Sequence, residues 1–234
     1  MRTAPREEKA VPIVLFQGLR HFIEITLTTI GALLPIVDPL GGAPIYLAMI
    51  SGIDPQERPR MAKLVSMHSF LLLISSVLVG SYVLDFFGVS IPAVQIAGGS
   101  VLCAISWSLL NSPNSPAISA RPSAAQPDAF NQRAFYPLTM PLTVGPGSIS
   151  VALTLGANPP RSIRAVLTTA LGHILGVLIV VISIYLCYRY ADRILRKLGS
   201  TGTNVLIRMS SFITLCIGVQ IIWDGVHSLL IATH

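Results

Sequence analysis

Asp38 is the one acid set deep inside an apolar stretch of this chain. Helix-breaking residues surround it: Pro35-Ile36-Val37-Asp38-Pro39-Leu40-Gly41-Gly42-Ala43-Pro44. A second run, Pro137-Leu138-Thr139-Met140-Pro141-Leu142-Thr143-Val144-Gly145-Pro146-Gly147, repeats the Pro-x3-Pro-Leu opening and also passes into glycine and proline. Prolines and glycines this dense cannot sit in a regular helix interior. The chemistry they offer is recognition. A helix that restarts after a break presents unpaired N–H groups and partial positive charge, which suit a carboxylate. Restarts are expected near Ile45, offering the N–H groups of Gly42, Ala43 and Ile45, and near Ser148, offering those of Gly147, Ser148 and Ile149. Glycine lets a ligand approach the backbone closely. Carbonyls unwound near Val37 and Thr139 suit an ammonium group or a cation, so an amino-acid zwitterion matches both halves of the field. The candidate binding residues are therefore Asp38, Gly41, Gly42, Ile45, Thr139, Thr143, Gly145, Gly147 and Ser148.

Each of these has a plainer alternative. An intramembrane acid is a functional hypothesis by default, holding an ammonium group or carrying a proton, but the Asp38 carboxylate also suits a cap on the following turn. The hydroxyls of Thr139, Thr143 and Ser148 can bond back to their own helix. His68 and His173 sit at corresponding places in two apolar stretches and are candidates for proton coupling beside Asp38. A membrane histidine more often bonds to a neighbour. Cys103, Cys187 and Cys216 lack metal-ligand spacing and read as packing residues. No phosphate loop, H-E-x-x-H or C-x-x-C occurs, and Gly145-Pro146-Gly147-Ser148 is neither a nucleophile elbow nor a dinucleotide loop. The expectation is a protein that is not an enzyme and holds no cofactor or metal.

The surrounding elements are membrane spans. Of 234 residues, 52% are hydrophobic and 11% charged, against roughly 25% charged in an average soluble domain. The net charge of +6 is scattered, without a basic run or interleaved aromatics, and reads as loop charge rather than a nucleic-acid surface. Six apolar stretches are long enough to cross a bilayer: 22–53, interrupted at 35–44; 64–84; 91–110; 134–157, interrupted at 137–147; 165–188; and 204–230. The Ser-, Pro- and Ala-rich stretch 111–133 reads as a flexible linker. It separates a first repeat, 1–110 with its short N-terminal tail, from a second, 134–234.

The two halves match in order. Leu84 and Gly88 parallel Leu195 and Gly199, and Leu102-Cys103 parallels Leu215-Cys216. The offset drifts only from 102 residues at Pro35 and Pro137 to 113 at Cys103 and Cys216. Three spans per repeat force the second copy to insert upside down, giving a 3+3 inverted repeat. The expected fold is thus an all-α polytopic membrane protein with spans one and four broken. Lys and Arg number nine on the side of the 54–63 loop and six on the other, which puts both termini in the periplasm.

The residues Leu34-Pro35-Ile36-Val37-Asp38-Pro39-Leu40, Phe87-Gly88-Val89-Ser90-Ile91-Pro92, Ile96-Ala97-Gly98-Gly99, Pro137 to Gly147 and Gly218-Val219-Gln220 resemble the MarC family of bacterial inner-membrane proteins. The resemblance implies a six-helix protein of the inner membrane, grouped with neutral amino acid transporters and LysE-type exporters. Family members often carry Asn where this chain has Asp38 and Arg where it has Gln95. The reading that follows is a secondary transporter of small neutral amino acids or similar metabolites, with lipid and a coupling ion as its further expected partners. A passive channel and a non-transporting scaffold or accessory subunit are the alternatives.

Overall fold

The computed structural model describes residues 7–111, 127–157, 160 and 162–232. Every long element is helical: α1 (Glu7–Val37), α2 (Pro39–Met49), α3 (Arg58–Phe87), α4 (Ile91–Asn111), α5 (Pro127–Arg133), a wide-turn helical segment (Ala134–Thr143), α6 (Pro146–Gly156), α7 (Ile163–Arg189) and α8 (Ala191–Ala232). Among the described residues, five helices are long and apolar enough to cross a membrane. The stretches Phe130–Thr143 and Pro146–Gly156, bent by 73° between them, make a sixth when taken as one span. Of the expected linker, residues 112–126 lie outside the described part. Residues 127–133 form α5, where Phe130 packs on the core and accepts the Arg60 guanidinium on its ring face.

Local signals set the boundaries. Pro39 opens α2 at the first helical position, where its missing N–H costs nothing. Gly88 closes α3 in the left-handed region at φ 67°, and its N–H and that of Val89 bond back to Asp85 and Leu84. The Ser162 hydroxyl caps α7 by accepting the Ala165 N–H at 3.3 Å. α8 begins earlier than the span read from sequence. Its first turns, Ala191–Leu198, carry the basic residues and leave the rest of the helix at Gly199, at φ 67°.

The helices pack in a cross-matched set. α4 lies along α8, and α3 along α7. α2 packs on α7 and α8, while α6 packs on α3 and α4. α1 rests on α7, and the Ala134–Thr143 segment rests on α3. The α4–α8 seam is close because glycines face each other: a Cβ on Gly99 would lie 2.8 Å from the Gly218 carbonyl. Small residues of this kind let membrane helices approach backbone to backbone. The α3–α7 core is branched and aliphatic, with Val65, Leu73, Val77, Val177, Val180 and Ile184 buried. Outward-facing Leu27, Phe86, Trp107, Ile163, Phe212 and Trp223 are exposed, the pattern of helices solvated by lipid. One end of the bundle is tied by Arg58, whose Nη1 donates to both Asp192 oxygens at 3.0 Å.

Candidate functional site

The first break is a single residue. Asp38 stands at φ 41°, ψ 65°, a left-handed conformation that Asp tolerates better than most residues. Its N–H still closes α1 on the Leu34 carbonyl at 3.0 Å. Its Oδ1 then accepts the Gly41 N–H at 3.0 Å, and its carbonyl accepts the Gly42 N–H at 2.9 Å. The Ser210 hydroxyl of α8 bonds the same carboxylate. A Cβ on Gly41 would collide with Asp38 Oδ2 and the Ser210 side chain. The acid is thereby wedged between the first turn of α2 and the middle of α8.

This corrects the expected geometry. α2 restarts at Pro39, not near Ile45, so the N–H groups of Gly42, Ala43 and Ile45 fall inside the helix. The end that was expected to receive a ligand carboxylate is filled by the chain's own. The reason is local: Asp before Pro is an N-cap followed by a favoured first-turn residue.

The second break is spread over several residues. The backbone is extended at Tyr136 (φ −124°, ψ 125°) and Met140 (φ −114°, ψ 124°), then again at Val144 and Gly145. α6 starts at Pro146, two residues before the expected Ser148. Its first internal bond runs from the Ile149 N–H to the Gly145 carbonyl at 3.1 Å. The N–H groups of Gly147 and Ser148 precede that bond, as the first turn of any helix requires. Gly145 has no side chain with which to cap them. The Ser148 hydroxyl donates to the Gly145 carbonyl at 2.9 Å.

Both breaks face one cavity of about 320 Å³. Asp38, Gly41, Gly42 and Ile45 line it from the first, and Thr143, Gly145, Gly147 and Ser148 from the second. α4 adds Leu102, Ile105, Ser106 and Leu109, and α8 adds Ile207, Ser210, Ser211 and Thr214. Among the described residues of the wall, Asp38 is the one with an acidic or basic side chain. Thr143 links the two breaks through α7. Its hydroxyl lies 2.9 Å from the Tyr188 hydroxyl, which in turn sits 3.1 Å from where a Gly42 Cβ would be. Tyr188 stacks on Tyr46 with ring centroids 4.1 Å apart, and both are buried.

Three candidates lie elsewhere. Thr139 is fully buried away from the cavity, donating to the Ala134 carbonyl at 2.6 Å. His173 Nδ1 meets the Thr29 hydroxyl at 2.9 Å in the α1–α7 seam. His68 packs edge-on against Phe135, and its buried Nδ1 has no hydrogen-bond partner among the described residues. Neither histidine lines the cavity. Among the described residues no three His, Cys, Asp or Glu side chains are grouped to hold a metal. Sequence reasoning missed the α8 wall. Its signal was present, since Ser210, Ser211 and Thr214 share one helical face within an apolar span.

A model of the MarC family, integral membrane proteins, matches residues 22–230. The inner membrane protein MarC of Escherichia coli is 27% identical over 212 residues, covering 86% of this chain and 94% of that protein. Its counterpart in Shigella flexneri matches to the same extent, 27% over 212 residues with 86% and 94% covered. No solved structure matches.

Proposed function

The chain belongs to the MarC family of integral membrane proteins, and from that premise we propose that it is a secondary transporter of neutral amino acids or similar small zwitterions. Its relatives are inner membrane proteins, and the inner membrane is where this chain works. The observation that carries the reading is the shared cavity. One break supplies an anchored negative charge at Asp38, and the other supplies an uncapped helix start at Gly147 and Ser148. An ammonium group matches Asp38 and Ser210. A carboxylate matches the α6 N-terminus. Irregular backbone at membrane depth is tolerated where it lines such a cavity.

The packing supports a repeat built for alternating access. Exchanging the halves turns α2 on α7 and α8 into α6 on α3 and α4, and both contacts exist. It turns α1 on α7 into the Ala134–Thr143 segment on α3, which also exists. The α4–α8 and α3–α7 seams map onto themselves. Three spans in each half make the repeat inverted, with spans one and four broken and the site at their interface.

The test is counterflow in proteoliposomes with labelled neutral amino acids, with and without a proton gradient. Exchange that saturates and is trans-stimulated supports a transporter. Flux without counterflow points to a channel, and no exchange from folded protein overturns the reading.

A further inference from the structure

Among the described residues, the serines and threonines of the cavity wall are Ser106, Thr143, Ser148, Ser210, Ser211 and Thr214. Four of their hydroxyls are engaged within the protein. Thr143 meets Tyr188, Ser148 donates to the Gly145 carbonyl, Ser210 bonds Asp38, and Thr214 donates to the Ser210 carbonyl at 2.9 Å. Ser106 and Ser211 differ. Neither side chain has a hydrogen-bond partner among the described residues, although the two residues are only 1% and 4% exposed. Serines elsewhere in the spans take the partner nearest to hand: Ser66, Ser69 and Ser100 donate to the carbonyl four residues back. The side-chain atoms that are both unpartnered and sealed from open space, among the described residues, are Tyr46 Oη and His68 Nδ1. The Ser106 and Ser211 oxygens are not sealed in this way, so they open into the cavity that both residues line.

The two hydroxyls stand at one level. α4 and α8 run antiparallel, since Cys103 reaches the Leu215 carbonyl and Gly99 faces the Gly218 carbonyl. Ser106 lies three residues beyond Cys103, and Ser211 lies four before Leu215. The difference is one residue of helical rise, about 1.5 Å. Ser106 is also one turn from Leu102, which packs against Gly147, and Ser211 adjoins Ser210, which packs against Gly41 and Asp38. The pair therefore stands between the second break and the first.

The transport reading above assigns a ligand's ammonium group to Asp38 and its carboxylate to the α6 N-terminus. Resting on that reading, we propose that the site selects neutral amino acids whose side chain forms hydrogen bonds, with Ser106 and Ser211 as the residues that read it. A serine hydroxyl can both donate and accept. A ligand hydroxyl or amide pairs with these two as water does. An apolar side chain of the same size displaces the water and leaves two buried hydroxyls unpaired. A site whose buried polar groups are left unpaired rejects the analogue that lacks the matching group.

Competition in the same proteoliposomes tests this with pairs of matched shape. Trace labelled threonine is exchanged against unlabelled threonine or valine, and trace labelled asparagine against unlabelled asparagine or leucine. We expect the polar member of at least one pair to compete about tenfold or more better than its apolar counterpart. We expect Ser106→Ala combined with Ser211→Ala to bring that ratio close to one, and each single variant to remove part of it. Ser100→Ala is the control. Its hydroxyl is exposed and bonded to its own helix, so it should keep the wild-type ratio. Valine and leucine competing as well as threonine and asparagine overturn the selectivity and leave the transport reading standing. So does exchange of other neutral amino acids with none of threonine or asparagine. A ratio unmoved in both single variants and in the double overturns the assignment to these serines. No exchange of any neutral amino acid by folded protein overturns the transport reading and this inference with it.

Discussion

The two breaks share a sequence opening and differ in almost everything it builds. At the first, one left-handed residue interrupts the helix, and its side chain seals the helix that follows. At the second, extended backbone recurs from Tyr136 to Gly145, and α6 begins without a side-chain cap. The first carries a carboxyl group and uses up its own helix end. The second carries none and leaves its end open toward the cavity. A symmetric pair of ligand-binding helix ends would suit two anions. The observed pair suits one molecule with opposite charges at its two poles.

Substitutions should therefore act unequally on the two sides. The largest effect is expected at Asp38. Asn keeps a cap acceptor and tolerates the left-handed backbone, so Asp38→Asn should fold. Loss of the charged contact should lower counterflow by about 10- to 100-fold, read as an initial rate. A variant at wild-type rate breaks the comparison at its root. Next comes Gly41→Ala, where the new methyl runs into the Asp38 carboxylate and Ser210. It should cost about 1–3 kcal/mol of stability by overpacking, measured by thermal unfolding in detergent.

Thr143→Val probes the link between the breaks. It leaves the buried Tyr188 hydroxyl without its partner, at a cost of about 1–3 kcal/mol. Combining it with Tyr188→Phe removes the orphan, so the double variant should be less destabilised than the two singles summed. The smallest effect is expected at Gly145→Ala. The backbone there is extended and open to any residue, and the nearest atom to a new Cβ is the Pro141 carbonyl at 3.2 Å. A loss below about 1 kcal/mol, against the larger one at Gly41, would show that the first break is the rigid one.

Much of this was legible in the residues. Pro and Gly act on the backbone directly, so the places where the helices fail could be read without knowing the packing. Long charge-free stretches marked the spans for the same reason. The restart points were misread because Asp38-Pro39 is itself a helix-start signal, and it outweighed the later Pro44, which α2 accommodates internally. The α8 wall was missed because its hydroxyls interrupt nothing. Only the crossing of α8 over α2 makes Ser210 a partner of Asp38. Thr139 shows the converse. Its neighbours mark it as part of a break, but which way a side chain points from irregular backbone is set by tertiary packing, here toward the core.

The central claim is that one ligand spans both breaks. Ser210→Cys reports on the first and Ser148→Cys on the second, each in a background with Cys103, Cys187 and Cys216 replaced by alanine. Each protein is reacted with a small thiol reagent over a range of concentrations of a neutral amino acid that the protein exchanges in counterflow. The account predicts that this substrate slows labelling at both positions with the same midpoint. Protection at one position alone, or at neither while counterflow persists, would contradict it.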